Sequence, residues 1–159
     1  VLLIVPIVGG LLIIGLQSGF GNLQLPIPVL GDEWVETITL GDFFAKSAAM
    51  FLVWYCALIS IVLLLSVVVR NEFINLAAGA VLVFAEFAYI SRGLGYREPI
   101  ENYPTTYAQI GHVISNMRNY YYETAAVTWS FGSLLLLATA GVCLLVTLLI
   151  SLNKRYKLV

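Results

Sequence analysis

Few side chains in this sequence could do chemistry, and they do not cluster. His112 is the only imidazole; the positions four residues away are Ala108 and Asn116, so no orienting carboxylate or second metal ligand shares its helical face. Cys56 and Cys143 each lie alone in an apolar run, without metal or redox spacing, and read as two buried small hydrophobes. Glu86 is the one acid inside an apolar run. There is no H-E-x-x-H and no G-x-x-x-x-G-K-[ST] phosphate loop. An acid/base pair needs two partners, and Glu86 has none in its run. The expectation is a chain with no catalytic residue, no metal site and no cofactor of its own.

Composition says where such a chain resides. Of 159 residues, 60% are apolar and only 11% charged, with a mean hydropathy of +0.94, whereas soluble domains carry about 25% charged residues. An integral membrane protein is expected. The net charge is −1 and the largest basic cluster is Lys154-Arg155-Tyr156-Lys157, so nucleic acid is not an expected partner.

The elements follow from the apolar runs. Residues 47–69 and 73–92 read as two membrane spans meeting at a polar knot, Arg70-Asn71-Glu72; a core of about 30 Å takes about 20 helical residues. Residues 1–16 and 125–152 complete a set of four. The first begins with neither methionine nor flanking charge, as would a span whose start lies upstream, and its Pro6 and Gly9-Gly10 suit either a packing face or a hinge. Between spans lie two long polar regions, 17–46 and 93–124. The first carries Pro26 and Pro28, which favour an extended course, then Trp34 beside acids, and Thr39 or Asp42 as cap of the next helix. The second holds Tyr96, Tyr103, Tyr107, Tyr120, Tyr121 and Tyr122. There Ile110, Val113, Ile114 and Met117 make an apolar stripe, which predicts an interfacial amphipathic helix over 105–119. Trp34, Trp129, Tyr120 and Tyr121 are the candidate interface anchors.

Charge orients the set. Arg70, Lys154, Arg155 and Lys157 crowd two short segments on one face, whereas Lys46, Arg92, Arg97 and Arg118 are dispersed over the long ones. The knot and the C-terminus are therefore expected in the cytoplasm, and both long regions outside. Glu86, Tyr55 and Arg92 are the candidates for lining a substrate path, with Glu86 equally readable as a near-interface acid that reaches water.

This order of spans, with the tight basic turn in Leu65-Ser66-Val67-Val68-Val69-Arg70-Asn71-Glu72-Phe73-Ile74-Asn75, resembles the C-terminal two thirds of a bacterial ABC-2 type permease, the membrane subunit of an ABC exporter. The resemblance implies an all-α, polytopic protein of the bacterial cell membrane, read here as a C-terminal fragment, since such permeases usually have six spans and an N-terminal cytoplasmic segment. It implies a second permease chain, surrounding lipids, and a cytoplasmic ATP-binding subunit that holds ATP and Mg. The turn formed by Arg70, Asn71 and Glu72 would face that subunit. Expected cargo is a hydrophobic or amphipathic peptide, an antimicrobial peptide or a drug. The contrasting reading is a non-catalytic accessory or immunity protein that binds a partner through its outer tyrosine-rich region.

Overall fold

Thr39 starts the first long helix. Its Oγ1 accepts the Asp42 N–H at 3.1 Å, and the N–H groups of Leu40 and Gly41 donate to the carbonyls of Leu25 and Leu23 at 2.9 and 2.8 Å. Three of the amides that a helix start leaves unpaired are thus satisfied. The computed structural model describes residues 13, 15–17, 19, 21–31, 35–69, 71–91 and 100–155, with side chains omitted for 85–91, 154 and 155. Most of the expected span 1–16 lies outside them, as do Trp34, Arg70 and Arg92.

Helix α1 occupies Leu40–Val69, so it begins well before the apolar run at 47 and reaches about 45 Å over its 30 residues. Helix α2 follows at Glu72–Ser91. Asn71 caps it: its Oδ1 accepts the N–H groups of Phe73 and Ile74 at 3.0 and 3.3 Å. Asn75 Nδ2 then reaches back to Ser66 Oγ at 3.2 Å, and Gly79 lies beside Val62. These pairings define an antiparallel helical hairpin, as the polar knot predicts. Extending its register sets position 86 level with position 55.

The chain is mostly helical but not all-α, which corrects the sequence expectation. Region 17–46 carries an antiparallel hairpin of β1 (Pro26–Leu30) and β2 (Val35–Thr39), pairing Pro28 with Thr37 and Leu30 with Val35. Strand amides alternate sides, and the Leu30 N–H donates away from the hairpin, to the Ser115 carbonyl at 3.2 Å. Pro26 and Pro28 share that parity, so their missing N–H groups fall on the edge that the ladder does not use.

The expected interfacial helix is also broken up. Two 3-10 turns, Ile100–Asn102 and Pro104–Ala108, precede two short helices, α3 (Ile110–Ile114) and α4 (Met117–Tyr122). Asn116 between α3 and α4 has φ 57°, a left-handed conformation that ends α3 and turns the chain. The apolar stripe is real but turned inward: Val113 and Ile114 are buried and Ile110 packs on the core, while His112 is exposed.

Helix α5, Trp129–Arg155, closes the bundle. α1 packs more extensively on α5 than on α2. Buried Met50 and Ala57 of α1 share a core with Leu136 and Ala140 of α5. α1 starts beside the β-hairpin through the Leu40 and Gly41 amides, α5 starts beside α4 through the Asn119–Val127 pair, and Leu30 of the hairpin bonds to Ser115 between α3 and α4, so both long helices begin at the same end. α1 and α5 are thus parallel, and α2 is antiparallel to both. Hydroxyls within the apolar helices bond back one turn, Ser60 to the Cys56 carbonyl at 2.7 Å and Thr147 to that of Cys143 at 2.7 Å, so they add no unmet polar group. The cysteines depart from expectation: Cys56 is exposed on α1 and Cys143 only half-buried.

Among the described residues two helices, Leu40–Val69 and Trp129–Asn153, are long and apolar enough to cross a membrane, and only 11% of the most apolar part of each is buried. A soluble protein's core helix would be mostly covered. Here large side chains such as Phe51, Leu52 and Leu63 of α1, Phe73 and Phe84 of α2, and Leu145 and Leu149 of α5 face outward.

Candidate functional site

Above the bundle, at the end where α2 finishes and α5 starts, the β-hairpin and α3–α4 form a cap. The most buried polar side chains at this end, in the second 3-10 turn and α4, are ones that local sequence pattern gave no reason to select. Tyr107 is fully buried, and its ring fills a notch in α5 at Gly132, where an added Cβ would collide with ring carbons Cδ1 and Cε1. The Tyr107 hydroxyl donates to the Glu101 carbonyl at 2.9 Å. Thr106 is also buried, and its hydroxyl donates to the Ile100 carbonyl at 2.9 Å.

Arg118 is only 1% exposed. A guanidinium is removed from water at high cost unless polar groups replace the solvent. Nη2 donates to the Thr106 carbonyl at 3.2 Å and Nη1 to the Tyr122 hydroxyl at 3.3 Å, with the cation 5.7 Å from the Tyr122 ring centre. Asn119 ties α4 to the start of α5 by a reciprocal pair: its Oδ1 accepts the Val127 N–H at 3.1 Å, and its Nδ2 donates to the Val127 carbonyl at 3.0 Å.

Beside this buried network the cap opens into a hollow of about 640 Å³, bordered by Leu30 and Gly31 of the hairpin and by Asn116, Tyr120, Tyr121 and Glu123. Tyr120 and Tyr121 are 69% and 63% exposed and meet edge to face, 6.1 Å between centres. Glu123 has φ 48°, the left-handed conformation of a helix C-cap, and its backbone N–H donates to the Asn119 carbonyl to end α4. Aromatic faces beside one carboxylate can hold a cationic or amphipathic group. Glu123 is the one carboxylate among the described residues that border the hollow.

Comparison with family models, curated proteins and solved structures returns no match.

The sequence candidates distribute as follows. Tyr120 and Tyr121 come together at the hollow, and Trp129 stands half-exposed as the first residue of α5. Tyr55 is half-buried and stacked on Phe51 in α1, with rings 6.2 Å apart and 10° from parallel, away from the hollow. Glu86 lies on α2 without a described side chain. Asn71 and Glu72 sit at the opposite end of the bundle, where Asn71 serves as a helix cap. Among the described residues no three His, Cys, Asp or Glu side chains gather as a metal site would need. Tyr107, Arg118 and Gly132 were not singled out by spacing. The one local hint was Arg118 four residues before Tyr122, a helical pair.

Proposed function

We propose that this chain is a multi-pass subunit of the bacterial cell membrane, forming part of the translocation path of an ABC exporter whose ATP and Mg are bound by a separate cytoplasmic subunit. In this reading 1–16 supplies a fourth span, the Asn71 turn and the C-terminus face the cytoplasm, and the cap faces outward. A second permease chain would pair with the bundle. The observation that carries the reading is the pair of parallel apolar helices, α1 and α5, each covered by protein over only a small part of its surface. Lipid and a partner subunit are natural covers for such a surface.

The test is purification of the native complex from membranes. A soluble ATP-binding subunit should accompany the chain, and ATPase activity should require both. ATP turnover by this polypeptide alone would overturn the reading. Glu86→Gln should reduce export-dependent resistance more than it reduces abundance in the membrane, because an acid in the outer part of α2 is costly unless it serves a wet path. Equal losses of resistance and abundance would mark Glu86 as a folding residue.

One observation favours the accessory or immunity reading: the exposed Tyr120–Tyr121 pair stands on the rim of an open outer hollow, as a partner-binding surface would present it. Under that reading Tyr121→Ala would abolish partner capture and no ATP-binding subunit would co-purify.

A further inference from the structure

The two 3-10 turns form a wedge, residues 100–108, whose depth can be counted off the helices. It meets Trp54, Ile61, Leu82 and Leu136 around a small apolar cavity of about 20 Å³, with Pro104 and Thr105 at its tip. Counted from Val69, Ile61 and Trp54 stand about 12 and 22 Å along α1, and counted from Glu72, Leu82 stands about 15 Å along α2. A bilayer core is about 30 Å thick, so in a membrane the tip lies near its middle. α2, which precedes the wedge in the chain, finishes on the cap side, and α3, α4 and the start of α5, which follow it, lie on that side too. The wedge therefore enters and leaves from the same face.

Non-helical backbone at that depth survives only where protein satisfies its polar groups. The wedge meets the condition partly by itself, through Thr106 to Ile100 and Tyr107 to Glu101. A polar tie to the helices that follow runs from Arg118 to the Thr106 carbonyl, next to the residue seated in the Gly132 notch. Arg118 is held in turn by Tyr122, and its helix is fixed to the start of α5 through Asn119 and Val127.

We infer that Arg118 is the latch of a re-entrant wedge: by holding the Thr106 carbonyl it keeps Tyr107 in the Gly132 notch and the outer end of the bundle sealed. Arg118 is a positioning residue, and it joins the wedge to the start of α5 alongside the direct contact of Tyr107 with Gly132. The inference rests on the membrane placement proposed above and not on the identity of the cargo or the ATPase.

The test uses the full chain in intact cells, with Cys56→Ala and Cys143→Ala, and a membrane-impermeant maleimide. Tyr121→Cys should label readily, and Thr105→Cys about tenfold or more slowly, as expected of a segment reached only by local opening. Adding Arg118→Met should bring Thr105→Cys labelling close to the Tyr121→Cys rate while leaving the latter unchanged. Gly132→Ala should do the same from the other side of the wedge, and Gly141→Ala, which has open space around it, should not. Gly132→Ala carries the test if Arg118→Met fails to accumulate. Thr105→Cys that stays shielded in both variants would overturn the latch with the membrane placement intact. Rapid labelling of Thr105→Cys without either substitution, or recovery of the chain in the soluble fraction, would overturn the placement itself.

Discussion

Gly132→Ala should destabilise the detergent-solubilised protein by about 1–3 kcal/mol, the usual cost of overpacking, although alanine is the better helix former by about 1 kcal/mol. The reason is the Tyr107 ring, which occupies the volume the new methyl group needs. The ring cannot swing aside cheaply, because it is fully buried and its hydroxyl is held at the Glu101 carbonyl. The cause can be isolated by a double-mutant cycle. Tyr107→Ala alone leaves a large cavity and should cost about 3–5 kcal/mol, as truncations of buried aromatic residues do. In that background Gly132→Ala should be close to neutral or stabilising, because the clash has gone. Unfolding followed in detergent would measure each corner of the cycle. Strictly additive effects would mean that the notch and the ring are not coupled.

Asn119→Ala should have an effect of similar size, by a different route. It leaves the Val127 N–H and carbonyl without their side-chain partner, and Val127 is fully buried, so water does not replace it. Each buried polar group left unmade costs about 1–3 kcal/mol. Asn119→Asp separates the two halves of the clamp. A carboxylate can still accept the Val127 N–H but turns an oxygen toward the Val127 carbonyl, so it should rescue only part of the loss. Amide hydrogen exchange at Val127 is the sensitive readout. Exchange should be slow in the parent, about tenfold or more faster in Asn119→Ala, and intermediate in Asn119→Asp. Unchanged exchange in both would show that the clamp does not hold the start of α5.

The apolar runs made the long helices and the tight knot between α1 and α2 legible, because twenty apolar residues bounded by charge leave few alternatives. The cap of α1 was legible only as Thr39 or Asp42, both polar residues just before an apolar helical run; the structure selects Thr39, whose hydroxyl accepts the Asp42 N–H. What the sequence concealed is long-range. Pro26 and Pro28 argued for an extended course but hid the strand pairing, since proline normally argues against a ladder; the Leu30–Ser115 bond shows why the unused edge tolerates them. The tyrosines of 93–124 suggested a uniform headgroup belt, yet Tyr107 is fully buried while Tyr120 is 69% exposed. The difference is made by Gly132, distant in sequence, which provides a notch for one ring only. Arg118 was invisible on similar grounds, because its acceptor, the Thr106 carbonyl, is twelve residues away and brought near only by the turns at Gln109 and Asn116. A local stripe fixed which side of α3 is apolar; tertiary packing decided that it meets protein.

Helices that cross a membrane with the cap outside give a definite pattern in paired cysteine labelling. In the Cys56→Ala, Cys143→Ala background, Tyr121→Cys should react with an impermeant maleimide in intact cells. Glu72→Cys, which leaves the Asn71 cap in place, should react only after permeabilisation. Labelling of Glu72→Cys in intact cells would contradict the account.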